Sequence, residues 1–128
     1  MAKKNRKIVL SELQLSVMRV IWNRGEATIA EVVEDLQRER GLAHTTVATL
    51  LLRLEKRGLL SKRKDGRAYL YTALVSEADA KRSMVSAFVA SLFQGDSKEL
   101  LTHLIRSEEV TLSDIAKIKA KLKESDRD

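Results

Sequence analysis

Apolar residues recur at helical spacing in six stretches and alternate with polar ones in one. Leu13, Val17, Met18, Val20 and Ile21 form the first apolar stripe, Ile29, Val32, Val33 and Leu36 the second, and Val47, Leu50, Leu51 and Leu54 the third. The last three stretches lie beyond residue 75. Met84, Phe88 and Leu92 make one i, i+4 row beside Val85, Val89 and Phe93; Leu100, Leu101, Leu104 and Ile105 follow; Leu112, Ile115, Ile118 and Leu122 close the series. Between the two sets, Leu59–Lys64 and Arg67–Thr72 alternate at strand period around Asp65-Gly66, a strong hairpin signal.

The helix starts are marked by capping chemistry. Ser11-x-x-Gln14 and Thr28-x-x-Glu31 are capping boxes, and Leu10 with Leu15 stands at the positions of a hydrophobic staple. Gly25 stops the first helix, and the second ends near Arg38–Gly41. Ser76-x-x-Asp79, Asp96 or Ser97, and Thr111-x-x-Asp114 open the last three helices; Gly95 ends the first of these. The third helix is the exception, because Ala43 or His44 occupies its N-cap position, where Ser or Asp would cap better. Packing sets such a start, or a phosphate completes it by accepting the free N–H groups. Trp22 follows the first apolar stripe and is read as packing rather than as a stacking platform.

Taking Asp65-Gly66 as a two-residue turn pairs Lys64 with Arg67, Lys62 with Tyr69 and Leu60 with Tyr71, all on one face. The hairpin tip then carries Lys62, Arg63, Lys64 and Arg67 around a single carboxylate, Asp65. Four cations so placed repel one another unless an anion compensates them, which points to phosphate or minor-groove contact. Two helices joined by a tight glycine-containing turn, then a basic hairpin, make a winged helix-turn-helix. The expected fold is therefore mainly α. A winged helix-turn-helix of three helices plus a β-hairpin wing occupies residues 1–74, and a three-helix dimerisation domain residues 75–128. Three short helices bury too little area to stand alone, so two copies sharing a core, a homodimer, are expected. Its contacts would come from Met84, Val85, Phe88, Val89, Leu92, Phe93, Leu100, Leu101, Leu104, Ile105, Ile115, Ile118 and Leu122. Lys117, Lys119, Lys121 and Lys123 would face outward.

Charge sharpens this division. Of the net charge of +6, residues 1–74 contribute 15 Lys/Arg against 8 Asp/Glu, a surplus of seven; residues 75–128 contribute 9 against 10. A polyanion bound by the first half is the simplest explanation. Residues 1–9, with Lys3, Lys4, Arg6 and Lys7 and no periodicity, read as a mobile basic arm. Opposite the buried stripe of the third helix lie Thr45, Thr49, Leu52 and Lys56, with Arg53 and Arg57 on one flank. Short hydroxyls approach base edges closely, while Arg and Lys neutralise phosphates. His44 fits a groove-edge or phosphate contact better than a general base. Thr45, Thr49 and His44 are thus candidate base readers, and Arg53, Lys56, Lys62, Arg63, Lys64 and Arg67 candidate backbone contacts. Leu52 fits either contact with a thymine methyl or simple exposure.

Other chemistry is missing from the sequence. There are no cysteines and only two histidines, His44 and His103, neither with a partner at metal spacing. The five glycines form no phosphate-cradling array, and the carboxylates are scattered at surface spacings. No metal, cofactor or enzymatic activity is expected. No apolar run reaches the length of a membrane span, and the basic N-terminus lacks the apolar segment of a signal peptide, so a cytoplasmic protein is expected.

The segments LSELQLSVMRVIW (10–22), ATIAEVVEDL (27–36), HTTVATLLLRLEKRGLL (44–60) and GRAYLYTALVS (66–76) resemble the penicillinase repressor (BlaI/MecI) family. The resemblance implies a dimeric bacterial repressor, in a family tied to antibiotic resistance, that binds a palindromic operator in double-stranded DNA and dimerises through its C-terminal helices. It implies groove contacts by Thr45, Thr46 and Thr49, with Arg53 and Arg67 on the backbone. In the antibiotic-responsive branch it implies a membrane sensor-transducer whose protease activity leads to cleavage at an Asn-Phe bond; here the aligned pair is His103-Leu104. The cysteine pairs of the copper-responsive branch are absent. Two other readings stay open: a ligand-sensing regulator with an effector pocket among the C-terminal helices, and a protein-interaction module using the basic wing.

Overall fold

A computed structural model describes residues 7–126. The elements run α1 (Glu12–Arg24), β1 (Glu26–Ala27), α2 (Ile29–Arg40), α3 (His44–Lys56), β2 (Leu60–Asp65), β3 (Ala68–Ala73), α4 (Glu77–Leu92), α5 (Ser97–Arg106) and α6 (Leu112–Asp126). The protein is mainly helical, with a winged helix-turn-helix at its N-terminal side and three helices after it. Both expected capping boxes form: Ser11 Oγ accepts from Gln14 N and Thr28 Oγ1 from Glu31 N, with each partner side chain reaching back to the cap's N–H. Thr111 and Asp114 make the same reciprocal pair before α6, and that hydrogen bonding holds the Asp114 carboxyl below its usual value.

The helix-turn-helix packs on a single apolar core. Val17, Met18, Ile21, Val32, Leu36, Val47, Leu51 and Leu54 are all but inaccessible, each from the stripe its helix was expected to bury. Each such side chain contributes roughly 1.5–3 kcal/mol through burial, enough to fix the rotation of α1, α2 and α3 about their axes. Polar contacts then lock the angle between α1 and α2. Arg24 Nε and Nη2 donate to the two oxygens of Asp35 at 2.7 and 2.8 Å, and Nη1 donates to Glu31 at 3.0 Å. That bidentate guanidinium holds the Asp35 carboxyl below its usual value. Trp22 is a packing residue, half-buried, its indole N–H donating to the Val75 carbonyl at 2.9 Å.

Three features differ from the sequence-based expectation. First, residues 7–9 are not a mobile arm. Ile8 is buried in the core, its N–H donates to Ser83 Oγ, and its carbonyl accepts from the same hydroxyl. Lys3, Lys4 and Arg6 lie outside the described residues. Second, the sheet has three antiparallel strands in the order β1-β3-β2, because Glu26 and Ala27 pair with Thr72 and Tyr71. A two-residue strand has no periodicity to detect. Third, the hairpin turn is Gly66-Arg67, not Asp65-Gly66. Of the two central residues only Gly66 has positive φ (63°), as a type II′ turn requires, whereas a type I′ turn would need Arg67 there too. The register is therefore Lys64↔Tyr69, Lys62↔Tyr71 and Leu60↔Ala73. A shift of two along β3 moves Arg67 into the turn and changes the partners, but leaves the side chains that remain in the strands on their expected faces.

Two compact units divide between Met84 and Val85, within α4. The division falls beyond Leu74/Val75 because Val75, Ala80 and Met84 pack into the winged-helix core. In the second unit, Phe88 and Phe93 meet edge to face, Phe93 lies beside His103, and Val89 is buried. Phe88, Leu92, Ile118 and Leu122 are each about half exposed or more.

The phase of α3 can be checked by a neighbouring pair of leucines. Leu51→Ala, at a position with no accessible surface, is expected to cost roughly 2–5 kcal/mol in urea unfolding. Leu52→Ala, 45% exposed, should stay within about 0.5 kcal/mol of the parent. Comparable losses from both would contradict the assigned rotation.

Candidate nucleic-acid interface

α3 presents its site through what it buries. With Val47, Leu50, Leu51 and Leu54 turned inward, His44, Thr45, Thr46, Thr49, Leu52, Arg53 and Lys56 are all exposed. Every α3 residue singled out in the sequence thus lies on the accessible surface. Ala43 is the N-cap, no side chain caps the first turn, and no acidic residue lies in it. The first N–H groups are therefore open to an anionic acceptor, in keeping with phosphate contact. Thr49 Oγ1 donates to the Thr45 carbonyl at 3.0 Å. Its proton is committed within the helix, so the oxygen is left to accept and the methyl to pack.

Arg57, expected beside Arg53 on the flank, is turned back toward the start of α1. Its guanidinium donates to Gln14 Oε1 at 3.3 Å and to the Val9 carbonyl at 3.0 Å. Arg57 therefore joins the C-terminal end of α3 to the segment that caps α1, a positioning role.

The wing is not a cluster of four uncompensated cations. Lys62 Nζ lies 3.5 Å from Glu55 Oε1 and 4.7 Å from the centre of the Tyr69 ring. Arg63 Nη2 donates to both oxygens of Glu26 at 3.1 and 3.2 Å. Asp65 is the one counter-charge visible within the hairpin sequence, because Glu26 and Glu55 belong to other elements, β1 and α3, brought to the wing by the fold. Lys64 and Arg67 form no ion pair among the described residues and remain at the tip. The Arg63–Glu26 pair is exposed and the Lys62–Glu55 pair only partly buried, so both are weak and screened by salt, and Lys62 and Arg63 are held rather than consumed. The wing therefore carries two cations directed to solvent and two in reserve.

In the second unit, the candidate dimerisation residues Val85, Phe88, Leu92, Leu101, Ile118 and Leu122 are exposed, and Phe93, Leu100, Leu104, Ile105 and Ile115 half-buried. Met84 and Val89 are covered by their own chain. The His103–Leu104 bond lies inside α5, and its carbonyl accepts from Ser107 N at 3.0 Å. Among the described residues, no group of three or more His, Cys, Asp or Glu is placed to hold a metal ion. No helix among them is long and apolar enough to cross a membrane.

Comparison with known proteins gives this geometry its context. The sequence profile of the penicillinase repressor family matches residues 10–124. The methicillin resistance regulatory protein MecI of Mammaliicoccus sciuri is 26% identical over 115 residues, covering 90% of this chain and 94% of its own. The solution structure of the DNA-binding domain of the repressor BlaI superposes with a TM-score of 0.52 at 35% identity, covering 58% of this chain and 90% of that one. The Bacillus licheniformis BlaI monomer, solved in complex with the blaP half-operator, gives 0.50 at 35% identity with the same coverage.

On random-sequence duplex, Lys64→Gln should reduce the log–log salt slope by about 0.9, one phosphate contact. Arg63→Gln should reduce it by less, since Glu26 competes with phosphate for that guanidinium. Equal reductions, read by fluorescence anisotropy across a salt series, would contradict the division between held and directed cations.

Proposed function

The chain belongs to the penicillinase repressor family, a family of DNA-binding transcriptional repressors and not of enzymes, and from this we propose that it represses transcription as a homodimer on a dyad-symmetric operator. The observation that carries the reading is the exposed face of α3, whose hydroxyls and cations stand clear of the core, with the basic wing following directly in the chain. α3 enters the major groove, where His44, Thr45, Thr46 and Thr49 meet base edges. Arg53, Lys56, Lys64 and Arg67 hold the phosphates, and Lys62 and Arg63 join them as their carboxylate pairs exchange. That a relative was solved on a half-operator supports placing one winged helix on each half of a palindrome.

Dimerisation is supported by the exposed large apolar side chains of the second unit, where Val85, Phe88, Leu92, Ile118 and Leu122 would waste their burial energy in water. Residues up to 74 serve DNA, residues 75–84 complete the winged-helix core, and residues from 85 onward serve that assembly. Action in the cytoplasm follows from the same reading. Release by proteolysis at His103–Leu104, under a membrane sensor-transducer, would require α5 to open locally, because a helical bond with its carbonyl engaged does not fit an extended protease cleft. An inducing signal acting elsewhere in the second unit is equally compatible with the fold.

Selection from a randomised duplex pool, with sedimentation of the bound species, tests the proposal: an inverted repeat carrying two chains is expected. Within it, Thr49→Ala should narrow the gap between selected and random duplex, whereas Arg67→Ala should weaken both about equally. Recovery of no preferred sequence, or of one chain per duplex, would overturn the reading.

A further inference from the structure

Leu52 is the one side chain on the outer face of α3 that neither hydroxyl chemistry nor charge explains. Its neighbours Leu50, Leu51 and Leu54 are buried in the core, while Leu52 is 45% exposed and belongs to no apolar cluster of its own unit. It stands between Thr49 and Lys56 at i+3 and i−4, so it lies in the row that faces outward. Glu55, the sole carboxylate on α3, is drawn away to Lys62 on the wing, so nothing acidic intervenes.

A leucine cannot pair with a phosphate, nor with a base donor or acceptor. Only one base edge in the major groove of a duplex carries an apolar group, the C5 methyl of thymine. Against cytosine, Leu52 would instead press on an amino group and leave that donor unpaired.

We infer that Leu52 is a specificity-determining residue that reads the 5-methyl group of one thymine in each half-site. The assignment rests on the major-groove reading of α3 proposed above. Its test uses the duplex selected by the full-length protein, resynthesised with deoxyuridine in place of each thymine in turn, which removes the methyl and nothing else. One position in a half-site should weaken the parent protein about fourfold, the ratio that corresponds to one buried methyl group. Leu52→Ala should bind the thymine and uracil duplexes equally, Leu52→Met should keep most of the discrimination, and Arg67→Ala in the wing should keep it in full. Circular dichroism and the melting temperature report whether Leu52→Ala folds like the parent. If the parent keeps its sequence preference yet binds every uracil duplex as tightly as the thymine one, the Leu52 assignment falls while the operator reading stands. The assignment also falls alone if Leu52→Ala retains the discrimination. Absence of any sequence preference in the parent removes both.

Discussion

The rotation of α3 about its own axis is set by four side chains, Val47, Leu50, Leu51 and Leu54, and all that the winged helix offers outward follows from that setting. Their burial against α1 and α2 leaves no choice about which residues face away. A turn of one residue, about 100°, would bring Leu52 or Arg53 into the core and send a stripe residue to solvent. The core is therefore also the device that aims the site. Arg24 with Asp35 and Glu31, and Arg57 with Gln14 and Val9, serve the same end by holding α1, α2 and the C-terminal end of α3 in one frame.

Charge is arranged in two tiers around this frame. Along α3, Arg53 and Lys56 stand open, and at the wing tip Lys64 and Arg67 do the same. Lys62 and Arg63 are instead paired with Glu55 and Glu26 across the sheet and helix. The arrangement limits self-repulsion in a hairpin that would otherwise carry four like charges at one end. Because exposed pairs are weak, a polyanion can still recruit both cations.

Much of this was legible in the sequence, and the reasons differ by element. Capping boxes at Ser11 and Thr28 and the stripes of α1 to α3 are local signals, and local signals placed those helices correctly. The face assignment of the hairpin was also right, because strand alternation survives a register shift of two. The register itself was not legible: Asp-Gly is a good turn pair, but here Gly66 begins the turn and Asp65 stays in β2. β1 escaped notice because two residues cannot show a period, and Ile8 because its burial depends on Ser83, far along the chain. The carboxylate partners of the wing were missed for the same cause, Glu26 and Arg63 being distant in sequence. Candidate groove residues needed only the phase of one helix, which is why their exposure could be anticipated.

Chemical protection of the bound duplex tests the central claim, that the buried stripe of α3 turns its hydroxyl face into the major groove. Dimethyl sulfate attacks guanine N7, which lies in that groove, and adenine N3, which lies in the minor groove. On the duplex selected by the protein, guanine N7 should be shielded in two blocks whose centres are about 10–10.5 base pairs apart, or a multiple of that. Saturated binding that leaves guanine N7 fully reactive in both half-sites would contradict the account.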